Sequence, residues 1–231
     1  MSNLSNFTEF LAKVDLKKYR DSYRPIKIVE MDLSKDIQAI ELLYRVYWDD
    51  KEFISFDGFY KKYLAEKETL LENFRTKIMM CDKCFYLGLP ARIYRTWASL
   101  ITQIHAGYVA ESVFGVGTVA MSAELDHKGA DFQVSYKNCI LNYQVKKESM
   151  SREVRQGKSS KKQIAGEFID LKYNVPSGDI FDNPKKQNGE FKTPYLRFIN
   201  DKTLNRFDNG FVVFTPEAFL SQKQAIDKSI S

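Results

Sequence analysis

The stretch Gly129–Ser149, GADFQVSYKNCILNYQVKKES, decides how the chain is read. Apolar and polar residues alternate through Ala130–Tyr136 and again through Cys139–Lys146, with Lys137-Asn138 between them. That is the pattern of two strands joined by a short turn. Side chains alternate across a strand, so Asp131, Gln133 and Ser135 share one face of the first, with Phe132, Val134 and Tyr136 on the other. On the second strand Asn142, Gln144 and Lys146 lie opposite Leu141, Tyr143 and Val145. Each strand thus has an apolar face for a core and a polar face that is either solvated or a site.

The flanking residues bear on that choice. Upstream, Thr96–Phe114 (TWASLITQIHAGYVAESVF) carries a helical stripe of Trp97, Leu100, Ile101, Ile104 and Tyr108. Two turns beyond Ile104 the stripe reaches Glu111, which the period places toward the core side. A carboxylate there needs a cation or a hydrogen-bond partner, because burying it bare is costly. Gly115 and Gly117 then end the helix.

Downstream, Lys146, Lys147, Arg152, Arg155, Lys158, Lys161 and Lys162 stand against only Glu148 and Glu153. This segment nets +5, equal to the formal charge of the whole chain, so the remainder is neutral. By location alone it is a solvated basic face. Its place directly after Gln144-Val145-Lys146 favours contact with phosphates instead.

Other features set bounds. No apolar run approaches the roughly 18 residues of a membrane span. The opening MSNLSNFTEFLAKVDLKKY has no signal-peptide core, so a soluble, cytoplasmic protein is expected. Three cysteines do not make a disulfide framework. Cys81-Asp-Lys-Cys84 has the spacing of half a zinc site, but Cys139, His105 and His127 offer no matching half, and idle thiols are the simpler reading. His127 reads as a loop residue at the surface and His105 as a packing residue beside its helical stripe.

Residues 1–90 read as an N-terminal helical region, with KDIQAIELLYRVYW and GFYKKYLAEKETLLENFRTKIMM at helical spacing and a break at Gly88 and Pro90. Residues 91–231 read as the catalytic region. Within it AGEFIDLKYNV is a helix end or a strand, PSGDIFDNPKKQNGEFKTP a loop, GFVVFT a strand, and PEAFLSQKQAIDKSI a helix from Pro216. The fold class is α/β, a central mixed sheet flanked by helices.

A helix with an inward Glu, a strand with Asp, a strand with Gln-x-Lys and a basic segment have a chemical rationale in this order. Phosphodiester hydrolysis uses a hard cation held by oxygen ligands, and that cation polarises phosphate and helps deprotonate water. A lysine two residues past a ligand shares its strand face and can offset charge developing on the phosphate. Through Glu111, Asp131 and Gln144-Val145-Lys146 the chain resembles the PD-(D/E)XK nuclease superfamily, and within it type II restriction endonucleases with Gln-x-Lys in place of Glu-x-Lys. The resemblance spans Thr96–Lys147. It implies a restriction-endonuclease-like core, Mg²⁺ as cofactor and double-stranded DNA as substrate. It also implies Asp131 as central metal ligand, Glu111, Gln144 and the Val145 carbonyl as further ligands, and Lys146 positioning the attacking water. Lys147 and the basic residues to Lys162 would hold the DNA backbone, and the loop Asn183–Arg206 would face a groove. Such enzymes act as homodimers or monomers, so oligomeric state stays open.

Two departures from that pattern are Ala130 where proline is usual, and neutral Gln144 where an acid is usual. Three rival acid-x-Lys triplets lack its setting. Asp15-Leu-Lys17 has no strand before it, Asp170-Leu-Lys172 has no acidic partner strand, and Glu190-Phe-Lys192 lies among Pro184, Gly189 and Pro194. Alternative functions are a repair or junction-resolving nuclease of the same fold, and a DNA-binding protein without catalysis.

Overall fold

The computed structural model describes residues 2–23, 25–26, 33–148 and 164–230, and the chain divides into two compact units. The first comprises Met1–His105 and Phe207–Phe211; the second comprises Ala106–Arg206 and Val212–Ser231.

The first unit is helical. Helix α1 (Asn3–Lys13) starts at Ser2, whose Oγ accepts from the Ser5 N–H, and buries Phe7 and Leu11. After α2 (Leu16–Tyr23), the expected helix over KDIQAIELLYRVYW is divided into a 3₁₀ turn at Lys35–Ile37, α3 (Ile40–Tyr44) and a π-turn at Arg45–Asp49. Buried residues run through both segments, Leu42–Tyr44 in the α-helix and Val46–Trp48 in the π-turn. Helix α4 (Phe56–Lys77) is capped by Ser55. Helix α5 (Asp82–Phe114) runs straight through Pro90, where a break was expected, and the boundary between the units falls within it. An internal proline costs about 3 kcal/mol. Here Phe85, Leu89, Ala91, Ile93 and Trp97 are all buried around it, and their packing outweighs that cost.

Aromatic rings fill this core. Phe56 meets Trp97 edge-on at 5.7 Å and Tyr19 at 5.4 Å. Polar tips are matched: the Trp97 indole donates to the Tyr47 hydroxyl at 2.8 Å, which donates to the Ile54 carbonyl at 2.6 Å. The Tyr63 hydroxyl donates to the Ile37 carbonyl at 2.7 Å. Asn209, at the tip of the 207–211 loop, donates to the carbonyls of Leu11 and Val14 and so occupies the end of α1.

The second unit is built on a mixed sheet in the order β1-β2-β3-β4. Its strands are β1 (Val119–Ala120), β2 (Phe132–Tyr136), β3 (Cys139–Glu148) and β4 (Glu167–Asn174). The β2–β3 hairpin forms as its alternation predicts, with Phe132 opposite Tyr143 and Val134 opposite Leu141. Lys137 and Asn138 both take positive φ (45° and 64°), as a two-residue type I′ turn requires. AGEFIDLKYNV supplies β4, which pairs parallel to β3 with Gln144 beside Asp170 and Lys146 beside Lys172. Parallel neighbours need a long connection, here residues 149–166.

Asn142 is fully buried and joins the strands: its Oδ1 accepts from Gln133 and its Nδ2 donates to the Ala165 carbonyl. Gly166, at φ 110°, lets β4 approach, since a Cβ there would lie 2.5 Å from the Ile140 carbonyl oxygen. On the apolar side Phe132 stacks on Tyr143 at 4.9 Å, and Phe219 of α9 (Glu217–Ile230) packs edge-on against both.

The presumed loop after β4 is more ordered than its Pro/Gly content suggests. It contains α7 (Gly178–Asp182) and α8 (Thr193–Asn200), whose Pro194 fits a first turn, and leads to a small hairpin of β5 (Leu204–Arg206) and β6 (Val212–Phe214). The fold is thus α/β, with helices around a mixed sheet. Among the described residues no helix is long and apolar enough to cross a membrane.

Candidate active site

A five-residue helix, α6 (Ala123–His127), precedes β2 and is capped by Ser122, whose Oγ accepts from the Leu125 N–H at 3.2 Å. It ends in a Schellman turn. The Gly129 N–H bonds to the Asp126 carbonyl and the Ala130 N–H to the Leu125 carbonyl, with Gly129 at φ 90°. This turn reverses the chain into β2 and sets the carboxyls of Asp126 and Asp131 close enough to shift each other's titration.

Asp131 sits where the β2–β3 ladder ends. Its N–H donates to the Tyr143 carbonyl at 2.8 Å, and its Oδ2 accepts from the Val145 N–H at 2.6 Å. The carboxyl thus takes the place of a backbone acceptor and is fixed against the middle of Gln144-Val145-Lys146. Burial pushes Asp131 up to about 7. The Val145 N–H opposes that rise, the charge and hydrogen bond of Asp126 add to it, and Lys146 draws it back. Burial also raises Asp126, against the pull of His127 and of the hydrogen bond from Asp131. Neighbouring carboxyls do not both ionise readily, and a nearby cation favours their charged forms.

The strand register places Gln144, Lys146 and Asp170 on one face of the sheet. The Lys146 ammonium donates to the Asp170 Oδ1 at 2.6 Å. Gln144 is half-buried between Asp131 and that ion pair along the strand. Asp170, set aside in the sequence as part of a rival triplet, is therefore a neighbour of the site, brought in by the parallel pairing. Lys147 faces the opposite side, where it lines a cavity of about 400 Å³ together with Arg197, Phe198 and Ile180.

Glu111 is half-buried near the end of α5, and its Oε1 accepts from the Gly117 N–H at 3.0 Å, closing the turn after the helix. Its carboxylate has the partner that burial demands, but it is a backbone amide. Among the described residues no group of three or more His, Cys, Asp or Glu side chains is arranged to hold a metal, so Glu111 does not join Asp126 and Asp131 as a third acid. Asp126 takes the position beside Asp131 that the sequence reading gave to Glu111. Arg152, Arg155, Lys158, Lys161 and Lys162 lie outside the described residues.

The donor set suits a small, hard cation. Mg²⁺ keeps several waters and is bound through one or two carboxylates. Asp126 and Asp131 supply those, Gln144 an amide oxygen and Val145 a carbonyl. A cation would also relieve the repulsion that now raises both acids.

Comparisons with known proteins place the chain in a family. Residues 4–226 match the family model of the TaqI restriction endonuclease. The type II restriction enzyme TaqI of Thermus aquaticus is 31% identical over 91% of this chain and 83% of its own length. The type II restriction enzyme TthHB8I of Thermus thermophilus is 30% identical over the same shares. No solved structure matches the chain significantly.

Proposed function

The chain belongs to the TaqI restriction endonuclease family and is a site-specific endodeoxyribonuclease, and we propose that it cuts double-stranded DNA with Mg²⁺ through a PD-(D/E)XK-type site of the Gln-x-Lys variety. The observation that carries this reading is the half-buried Asp126–Asp131 pair, with Asp131 anchored to the Val145 amide one residue from Lys146. Such a pair is costly in a protein that never binds a cation.

In this reading Asp131 is the central ligand and Asp126 the second, with Gln144 and the Val145 carbonyl completing the oxygen set. The bound ion would polarise a phosphoryl oxygen and make water a better nucleophile at neutral pH. The Val145 N–H keeps the Asp131 carboxylate in one orientation. Lys146, steered by Asp170, positions the attacking water and offsets charge that develops on the phosphate. The basic residues from Arg152 to Lys162 hold the DNA backbone, whereas Lys147, expected to share that role, points to the other face of the sheet. Cleavage takes place in the cytoplasm, where foreign DNA enters.

The test is digestion of plasmid DNA with Mg²⁺ by wild type, Asp131→Ala and Lys146→Ala. Discrete fragments from the wild type and none from either variant are expected. Undiminished cutting by both variants overturns the site, and cutting confined to branched DNA overturns the restriction reading.

A further inference from the structure

Away from this site, the start of α5 carries two cysteines that the cleavage chemistry does not use. Cys81 stands at the N-cap: its carbonyl accepts the helical bond from the Phe85 N–H at 2.9 Å, and its Sγ accepts from the Cys84 N–H at 3.2 Å. Three residues on, Cys84 returns to the same side of the first turn. Both are exposed, whereas Cys139 is half-buried on β3. Cysteine is not among the favoured capping residues, which are Ser, Thr, Asp and Asn. Two thiols one turn apart at a helix N-terminus, open to solvent and with the Cys81 sulfur already receiving the Cys84 N–H, have the placement of a reactive Cys-x-x-Cys.

We propose that Cys81 and Cys84 form a redox-active dithiol that exchanges with low-molecular-weight disulfides and closes to an intrachain disulfide. The Cys81 thiolate attacks one sulfur of the disulfide RSSR, forming a mixed disulfide at Cys81 and releasing RS⁻. Cys84 then gives up its proton and attacks the Cys81 sulfur, forming the Cys81–Cys84 bond and releasing the second RS⁻. Two protein thiols are oxidised, and RSSR is reduced to two RSH. Cys81 is the attacking thiol, because its sulfur receives the Cys84 N–H at the helix N-terminus. Its thiol is held below the ordinary cysteine range, and that of Cys84 above it, by their mutual interaction.

The test equilibrates the full-length protein in mixtures of reduced and oxidised glutathione, blocks free thiols with N-ethylmaleimide, and reads intact and peptide masses. The expected product is two hydrogens lighter, takes up N-ethylmaleimide at Cys139 alone, and yields a peptide linked through Cys81 and Cys84. In Cys84→Ser the reaction stops with glutathione on Cys81. In limiting reagent, Cys81 is modified at least tenfold faster than Cys139. Wild-type protein that stays alkylated at all three cysteines, or that carries glutathione on Cys81 and Cys84 independently, overturns the proposal.

Discussion

Around Trp97, the polar atoms that enter the interior meet partners of the opposite kind: indole N–H to Tyr47 hydroxyl, Tyr47 hydroxyl to Ile54 carbonyl. Around Asp131 the reverse holds, with two acids facing each other and one drawing on a backbone N–H. Matched neutral groups stabilise the folded chain by themselves, by about 1 kcal/mol for each bond made and more for each one broken. Facing acids work against folding wherever both would ionise. The difference is what the proposed site rests on: an arrangement that works against folding is retained where chemistry needs it.

The largest effect expected from breaking the contrast is on cleavage. Asp131→Ala should lower the rate of plasmid cutting at saturating Mg²⁺ by a thousandfold or more, about 4 kcal/mol of transition-state stabilisation. Tyr47→Phe, assayed below its melting temperature, should leave the rate unchanged.

Next comes a pH effect on the metal-free protein. Asp131 has its folded pKa raised to about 7, above the unfolded value. The stability it contributes is therefore fully present below about pH 4 and is lost as pH rises through 7. Removing the ionisable group should restore it. In thermal unfolding with EDTA, Asp131→Asn should gain on wild type between pH 5 and 8, by at most about 4 kcal/mol. A variant no more stable than wild type at pH 8 would mean that the acid pair costs nothing. His105 provides the opposite sign in the helical unit. Burial lowers it to about 3, so its contribution is present above about pH 6.5 and lost on acidification.

In the aromatic core, Tyr47→Phe should cost about 2 kcal/mol in urea unfolding, because it leaves the Trp97 N–H and the Ile54 carbonyl without their shared partner. The smallest expected effect sharpens the role of the ion pair at the sheet. Asp170→Asn should reduce kcat by about tenfold, near 1.4 kcal/mol, with KM little changed, since Lys146 is kept but less well steered.

What the sequence disclosed follows how local each feature is. The β2–β3 hairpin and the placing of Asp131, Gln144 and Lys146 along it were legible because strict alternation fixes register over a few residues. Asp126 was missed. It sits on a helix of only five residues, too short to show a period, and the trace it left was Gly129 as a helix stop between two aspartates. Asp170 was visible in Phe168-x-Asp170-x-Lys172, but its pairing with β3 is set across a long connection that no local pattern encodes. For Glu111 the helical period was sound, and the turn at Gly115–Gly117 adds a backbone N–H to its carboxylate that no local pattern announced. Pro90 was read as a break because its intrinsic cost is local, whereas the burial that overrides it is not.

The parallel join of β4 to β3 has a consequence for the life of the nascent chain. The hairpin closes within a few residues of its own turn, so Asp126, Asp131 and Lys146 come together early. Asp170 must wait for residues 149–166 to leave the ribosome and for the costlier closure of a long loop. Synthesis therefore passes through an interval in which the acids are assembled and Lys146 has yet to receive its steering partner.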